Sequence, residues 1–209
     1  MTTTRRIDPN PEMVALCFRA LVNHLNGNSE TLSNSLPNLT VGGMFVSWQS
    51  KDGELRGCLG TLSEVPLPRL LEFAITSSQN DDRFSPISLH EIHNISCTVS
   101  ILHSFEMCAH SLDWEIGVHG IIVEFCVNGK RHRSTFLPNV MTDQRWSKHQ
   151  ALEEAILKTG CRAGRPQISV TRYKASKSSL NHFEYAEGNI VYNFFLRLDI
   201  TLYNEFKDL

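Results

Sequence analysis

Val14, Cys17, Phe18, Leu21 and Leu25 recur at the spacing of one helix face. Asp8 and Pro9 in front of them suit an N-cap and a first turn, and Gly27 behind them suits a stop. The pattern therefore predicts a helix over 9–26. Residues 28–40 are rich in Asn, Ser, Leu and Pro and predict a loop. Alternation then takes over. Strands over 43–49 and 54–61 flank Lys51-Asp52-Gly53, a hairpin turn. Leu67, Leu70, Leu71, Ala74 and Ile75 return to helical spacing and predict a helix over 66–79. Asn80 to Pro86 is polar and predicts a loop, after which Ser88-x-x-Glu91 has the form of a capping box.

Ile95, Cys97, Val99 and Ile101 alternate, as do Ile121, Val123, Phe125 and Val127. They predict strands over 94–102 and 120–127. Asn128-Gly129 turns the second of these into a strand over 131–137. Ser147-x-x-Gln150 opens a helix over 147–159, with Gly160 as its stop. Gln167 to Lys174 reads as a further strand. Phe194, Leu196, Leu198, Ile200 and Leu202 alternate again and predict an added edge strand. Hairpins separated by helices make an α+β fold, an antiparallel sheet packed with helices, rather than a βαβ repeat.

Composition narrows this. The 209 residues suit one large domain or two interlocked subdomains. A net charge of −2 argues against a dominant nucleic-acid footprint. The first residues are short and polar, and no run approaches ~20 apolar residues, so neither a secretory signal nor a membrane span is expected. Six cysteines without a C-x-x-C pair read as reduced thiols, mostly in the core, of a cytoplasmic or nuclear protein.

Three segments carry candidate chemistry. In Leu55-Arg56-Gly57-Cys58-Leu59-Gly60, strand alternation puts Arg56 and Cys58 on one face, opposite the leucines. A guanidinium beside a thiol suits a nucleophile or an anion ledge, and Gly57 and Gly60 allow close approach of a ligand. The same glycines also suit a bulged strand packed under a helix. In Asp81-Asp82-Arg83-Phe84, Arg83 either grips an anion or pairs with an aspartate to hold the loop shut. In Gly117-Val118-His119-Gly120, His119 is a candidate general base beside Cys58, or a turn histidine. His90-x-x-His93 lacks further ligands at metal spacing, so no metal is expected. Phosphate-loop, nucleophile-elbow and dinucleotide patterns are missing, and no cofactor is expected.

LRGCLGTLSE, DDRFSPIS, LDWEIGVHGIIVEF, FLPNV and Val170-Thr171-Arg172-Tyr173 occur in that order. Together they closely resemble the AMMECR family, from about Glu12 to about Tyr185, and the segment from Asp113 to Gly120 resembles its animal branch. The resemblance implies residues 9–187 as the domain, between a flexible 1–8 and a divergent extension over 188–209. It implies a larger subdomain from both chain ends, a smaller helical part near 63–95, and a cleft between them. It places Arg56, Gly57, Cys58 and Gly60, then Asp81, Arg83 and Phe84, then Gly117, His119 and Gly120 along that cleft. Prokaryotic relatives are encoded beside Memo-type and radical-SAM proteins, which implies a link to a Memo-type partner. The family has no settled activity. Two readings follow. One is a regulatory module whose cleft binds a protein partner or a small anionic ligand. The other is an enzyme with Cys58 as nucleophile, His119 as base and Arg56 and Arg83 as anion clamps.

Overall fold

A computed structural model describes residues 6–28, 35–161 and 167–188. The alternation over 194–203 lies outside the described residues. Helix α1 runs Pro11–Leu25, two residues later than the sequence predicts. The cap is Asn10, whose side chain accepts from the Met13 N–H, and Pro11 takes the first turn. Asp8 instead accepts from Arg6 and from Ser176. Short strand β1 (Thr40–Val41) pairs with β4 (Val65–Pro66). Between them lies the hairpin of β2 (Met44–Ser50) and β3 (Leu55–Thr61). A 3-10 turn at Leu67–Arg69 leads into α2 (Leu70–Gln79). Ser88 and Glu91 form the expected capping box, but over a 3-10 helix, Leu89–Asn94.

Strand β5 (Ile95–Met107) ends five residues beyond the predicted 102, and β6 (Gly120–Val127) and β7 (Lys130–Phe136) form the second hairpin. Asn128 and Gly129 both have positive φ, 51° and 74°, as a two-residue primed turn requires. Helices α3 (Pro138–Asp143) and α4 (Lys148–Leu157) precede the long strand β8 (Ile168–Asn181). Helical structure closes the described chain over 182–188.

Six strands form one antiparallel sheet in the order β3-β2-β5-β8-β6-β7. One face carries the two larger cores. Met44, Val46 and Trp48 of β2 and Cys97, Val99 and Ile101 of β5 pack under α1 and α2. Ile121, Val123 and Phe125 of β6 pack under α3 and α4. The opposite face holds a smaller cluster of Leu102, Ile122 and Tyr173, joined by Phe45, Phe105 and Leu137.

The sheet is curled. Laid flat, its edges β3 and β7 would stand about 24 Å apart. Lys158, which follows α4, donates to the Thr135 carbonyl on β7 at 3.1 Å. Phe45 of β2, Tyr173 of β8 and Leu137 just after β7 join one apolar cluster, which a flat sheet of this width would hold apart. The edges have therefore rolled toward each other, with the smaller cluster inside the curl and the helices outside. Among the described residues no helix is long and apolar enough to cross a membrane.

Candidate functional site

Gly57 sets the position of β3. A Cβ there would stand 1.8 Å from the Ser77 carbonyl of α2, so only glycine lets the helix lie on the strand. Trp48 fastens the same contact from β2. Its buried indole N–H donates to the Ala74 carbonyl and the Ser77 hydroxyl, both at 3.1 Å. Gly57 thus fills the core-facing position, and the leucines do less than expected: Leu55 is 37% exposed and Leu59 half-buried. Cys58 and Gly60 alternate onto the inner face of the curl, while Arg56 is the extra residue where the register shifts opposite Trp48 and Gln49.

After α2 the chain doubles back. The Ile87 N–H donates to the Ser78 carbonyl at 2.9 Å, and buried Ile87 pins the loop. This brings Asp81 against the free edge of β3. The Cys58 N–H donates to Asp81 Oδ2 at 2.9 Å, and Arg83 Nη2 donates to the Cys58 carbonyl at 3.1 Å. Arg83 also grips Asp81 with both ends of its fork, Nε to Oδ1 at 2.8 Å and Nη2 to Oδ2 at 2.6 Å. The hydrogen bond from Arg83 lowers the Asp81 carboxyl to about 2, against the opposing pull of its burial. Arg83 is therefore not held free for the cleft by Phe84 and the following helix. It braces the loop, with its guanidinium 5.3 Å from the Phe84 ring, while 54% of its side chain stays exposed.

Arg56 is likewise engaged. Its Nε and Nη2 donate to Glu91 Oε1 at 3.0 and 2.7 Å, and Nη2 reaches the Ser85 carbonyl at 3.3 Å. Burial alone would raise the Glu91 carboxyl, but hydrogen bonds from Ser88 and Arg56 outweigh it and hold the group low.

Cys58 is half-buried, and its Sγ accepts from the Ser47 hydroxyl at 3.2 Å. The register continues this row across the sheet as Cys58, Ser47, Thr98 and Ser179. Thr98 and Ser179 hydroxyls are 2.7 Å apart. The neighbouring row is Gly60, Phe45, Ser100 and Lys177. A Cβ on Gly60 would collide with the Met44 carbonyl at 2.1 Å and with the Phe45 ring at 2.7 Å, so this glycine serves close strand pairing.

Two lysines that sequence reasoning missed complete the site. Lys158 bonds the Thr135 carbonyl and lies 4.8 Å from the Phe136 ring. Lys177 donates to Asn139 Oδ1 from β8, and Asn139 in turn donates to Asp143. Among the described residues neither lysine has a carboxylate within ion-pair distance. Both are exposed, yet burial lowers both ammonium pKa values, and the Arg83 charge lowers Lys158 further. The Asp143 carboxylate opposes the lowering at Lys177, and both lysines count Cys58 among their neighbours. Nothing local in the sequence marks Lys158, a helix-end cation, or Lys177, inside a polar run.

His119 is not part of this cluster. Its Nδ1 accepts from the Glu115 N–H at 3.1 Å. Burial and then the charges of Arg172 and Lys174 lower its pKa. The next residue, Gly120, pairs with Tyr173 on β8, and the charges that act on His119 are those of Arg172, Lys174, Glu115 and Glu106, with no member of the Cys58 cluster among them. Gly120 is buried, and a Cβ there would meet the Tyr173 ring at 2.4 Å. Gly117 makes a turn with φ 81°. The His119 segment and the Cys58 cluster are thus separate places, and the structure does not bring the expected base to the thiol.

A cavity of about 480 Å³ lies elsewhere, beside Arg6, Gly42, Leu62, Leu102, His103 and Phe105. It shares no residue with the Cys58 cluster. Its cationic groups are already engaged, Arg6 with Asp8 and His103 with Ser176. Among the described residues no three His, Cys, Asp or Glu side chains converge as metal ligands.

The AMMECR1 family profile matches residues 14–178. The chain belongs to the AMMECR1 family. An uncharacterised Arabidopsis thaliana protein is 38% identical over 86% of this chain and 88% of its own length. An uncharacterised Schizosaccharomyces pombe protein is 37% identical over 76% of this chain and 82% of its own. The crystal structure of an uncharacterised Pyrococcus horikoshii protein shares the fold, with a TM-score of 0.68 at 26% identity over 80% of this chain and 89% of that one. The AMMECR1 relatives named here carry no activity in their descriptions, so function has to be argued from the site.

Proposed function

We propose that this AMMECR1-family protein is a regulatory binding module that takes a small anionic ligand into the gap between β3 and β7. In this reading that gap is the cleft expected between the subdomains. The observation that carries it is the pair Lys158 and Lys177, which face Cys58 and hydrogen-bond only neutral acceptors. Cations that outnumber the carboxylates around them, here Asp143 near Lys177 and Asp81 on Arg83, raise the local concentration of anions. Arg83 adds the exposed half of its guanidinium. The segment from Asp113 to Gly120 supports an animal-type member.

The enzyme reading keeps Cys58, with three cations around it, as nucleophile. It lacks a base: the partner of the Cys58 sulfur is the Ser47 hydroxyl, and His119 is engaged elsewhere. Binding needs no such group, and it is the function the site supports better. Calorimetric titration with inorganic phosphate tests it, using the intact chain and the double variant Lys158→Met/Lys177→Met. Saturable binding that the double variant loses supports the reading. Equal binding by both proteins, or none by the wild type, overturns it.

A further inference from the structure

We infer that the anion this cleft takes is the phosphate of a polyhydroxy compound, a sugar phosphate whose hydroxyls lie on the polar rows of β3, β2, β5 and β8. The inference rests on the anion-binding reading above and adds the class of ligand.

The inner face beside the cations is built of small neutral groups. Ser47, Thr98 and Ser179 stand in register with Cys58, and Gln49, Ser96 and Asn181 form the row beyond. Over β2, β5 and β8 these two rows present hydroxyls and amides, and the second row ends on β3 in Leu55, its one large apolar side chain. The charges gather at one margin: Arg83 bonds the Cys58 carbonyl, Lys177 stands on the same face in the row next to that of Cys58, and Lys158 is bonded to the β7 edge. Such a face matches a molecule charged at one end and neutral but polar along its body.

The charged end fits phosphate better than carboxylate. A phosphate monoester offers three oxygens to three cations, whereas a carboxylate offers two. The Cys58 row spans three strand spacings, about 14 Å, enough for a monosaccharide beside its phosphate. A serine or threonine hydroxyl donates one hydrogen bond and accepts others, as sugar hydroxyls do. Thr98 and Ser179 use one proton between them, and Ser47 gives its own to Cys58, so the row keeps acceptor sites and one donor.

Calorimetric titrations of the intact chain with inorganic phosphate, glycerol 3-phosphate, ribose 5-phosphate, glucose 6-phosphate and free ribose test this. At least one sugar phosphate should bind about tenfold tighter than inorganic phosphate, the return from two or three neutral hydrogen bonds. Thr98→Val/Ser179→Ala should erase that gain and leave affinity for inorganic phosphate unchanged. Thermal melts confirm that this variant, altered at two sites not fully buried, is folded. If inorganic phosphate binds and no sugar phosphate exceeds it, or if the variant keeps the gain, the sugar-phosphate assignment is wrong while anion binding stands. If no phosphate compound binds at all, both fall.

Discussion

Asp81 holds the edge of the sheet at Cys58. Its carboxylate accepts the Cys58 N–H, and the arginine it binds, Arg83, donates to the Cys58 carbonyl. The pair takes the place of a neighbouring strand at that residue. An otherwise open edge is closed there without a further strand, and Cys58 is fixed at that edge.

The first consequence concerns stability. Asp81 is 3% exposed and Arg83 54% exposed. Breaking a fully buried pair costs about 3–5 kcal/mol, and exposure of Arg83 to water reduces that to about 1–2 kcal/mol for Arg83→Ala. Asp81→Ala should cost at least as much, since it also orphans the Cys58 N–H. Chemical denaturation at neutral pH measures both. An Arg83→Ala protein as stable as wild type would show that the brace is idle.

Acid should undo the same pair. Arg83 depresses the Asp81 carboxyl to about 2 in the fold, below its ordinary value near 3.8. A depressed acid contributes stability above its unfolded pKa and loses it as pH falls through the folded one. The window is therefore about pH 4 down to about 2, and the amount at stake is about 2 kcal/mol. Asp81→Asn should flatten the acid limb of a stability-against-pH curve in that window. An unchanged limb would assign the acid loss to other carboxylates.

Gly57 offers a purely steric test. Any side chain there collides with the Ser77 main chain, which cannot swing aside as a flexible side chain does. Gly57→Ala should cost at least about 1–3 kcal/mol, the range for overpacked cores, and lower the melting temperature accordingly. A variant that melts with wild type would mean that α2 does not press on β3 as described.

Much of the scaffold was legible in the sequence, because its signals are local. Asp52-Gly53 and Asn128-Gly129 announce their hairpins, and Ser147 with Gln150 caps its helix. Strand β8 runs on to Asn181, beyond the expected Lys174, because Ala175 to Ser179 carry too little apolar alternation to mark a strand. Helix α1 starts late because two Asx-Pro pairs, Asp8-Pro9 and Asn10-Pro11, compete for one cap. The site was half legible. Glycine and arginine motifs point to Cys58 and Arg83, but the curl of the sheet brings Lys158 and Lys177 to them from residues a hundred positions away. His119 sits in a similar glycine frame, yet its glycines serve a turn and the Tyr173 ring.

Alkylation of Cys58 tests the central claim most directly, because the thiol reports occupancy of the gap itself. Cys126 is exposed and will also react, so modification must be mapped residue by residue. Iodoacetamide is uncharged and competes for space rather than for charge. Inorganic phosphate should slow modification of Cys58 in a saturable way, leave Cys126 unaffected, and lose its effect in Lys158→Met/Lys177→Met. If phosphate leaves the Cys58 rate unchanged, or protects the double variant equally, the gap between β3 and β7 is not an anion site.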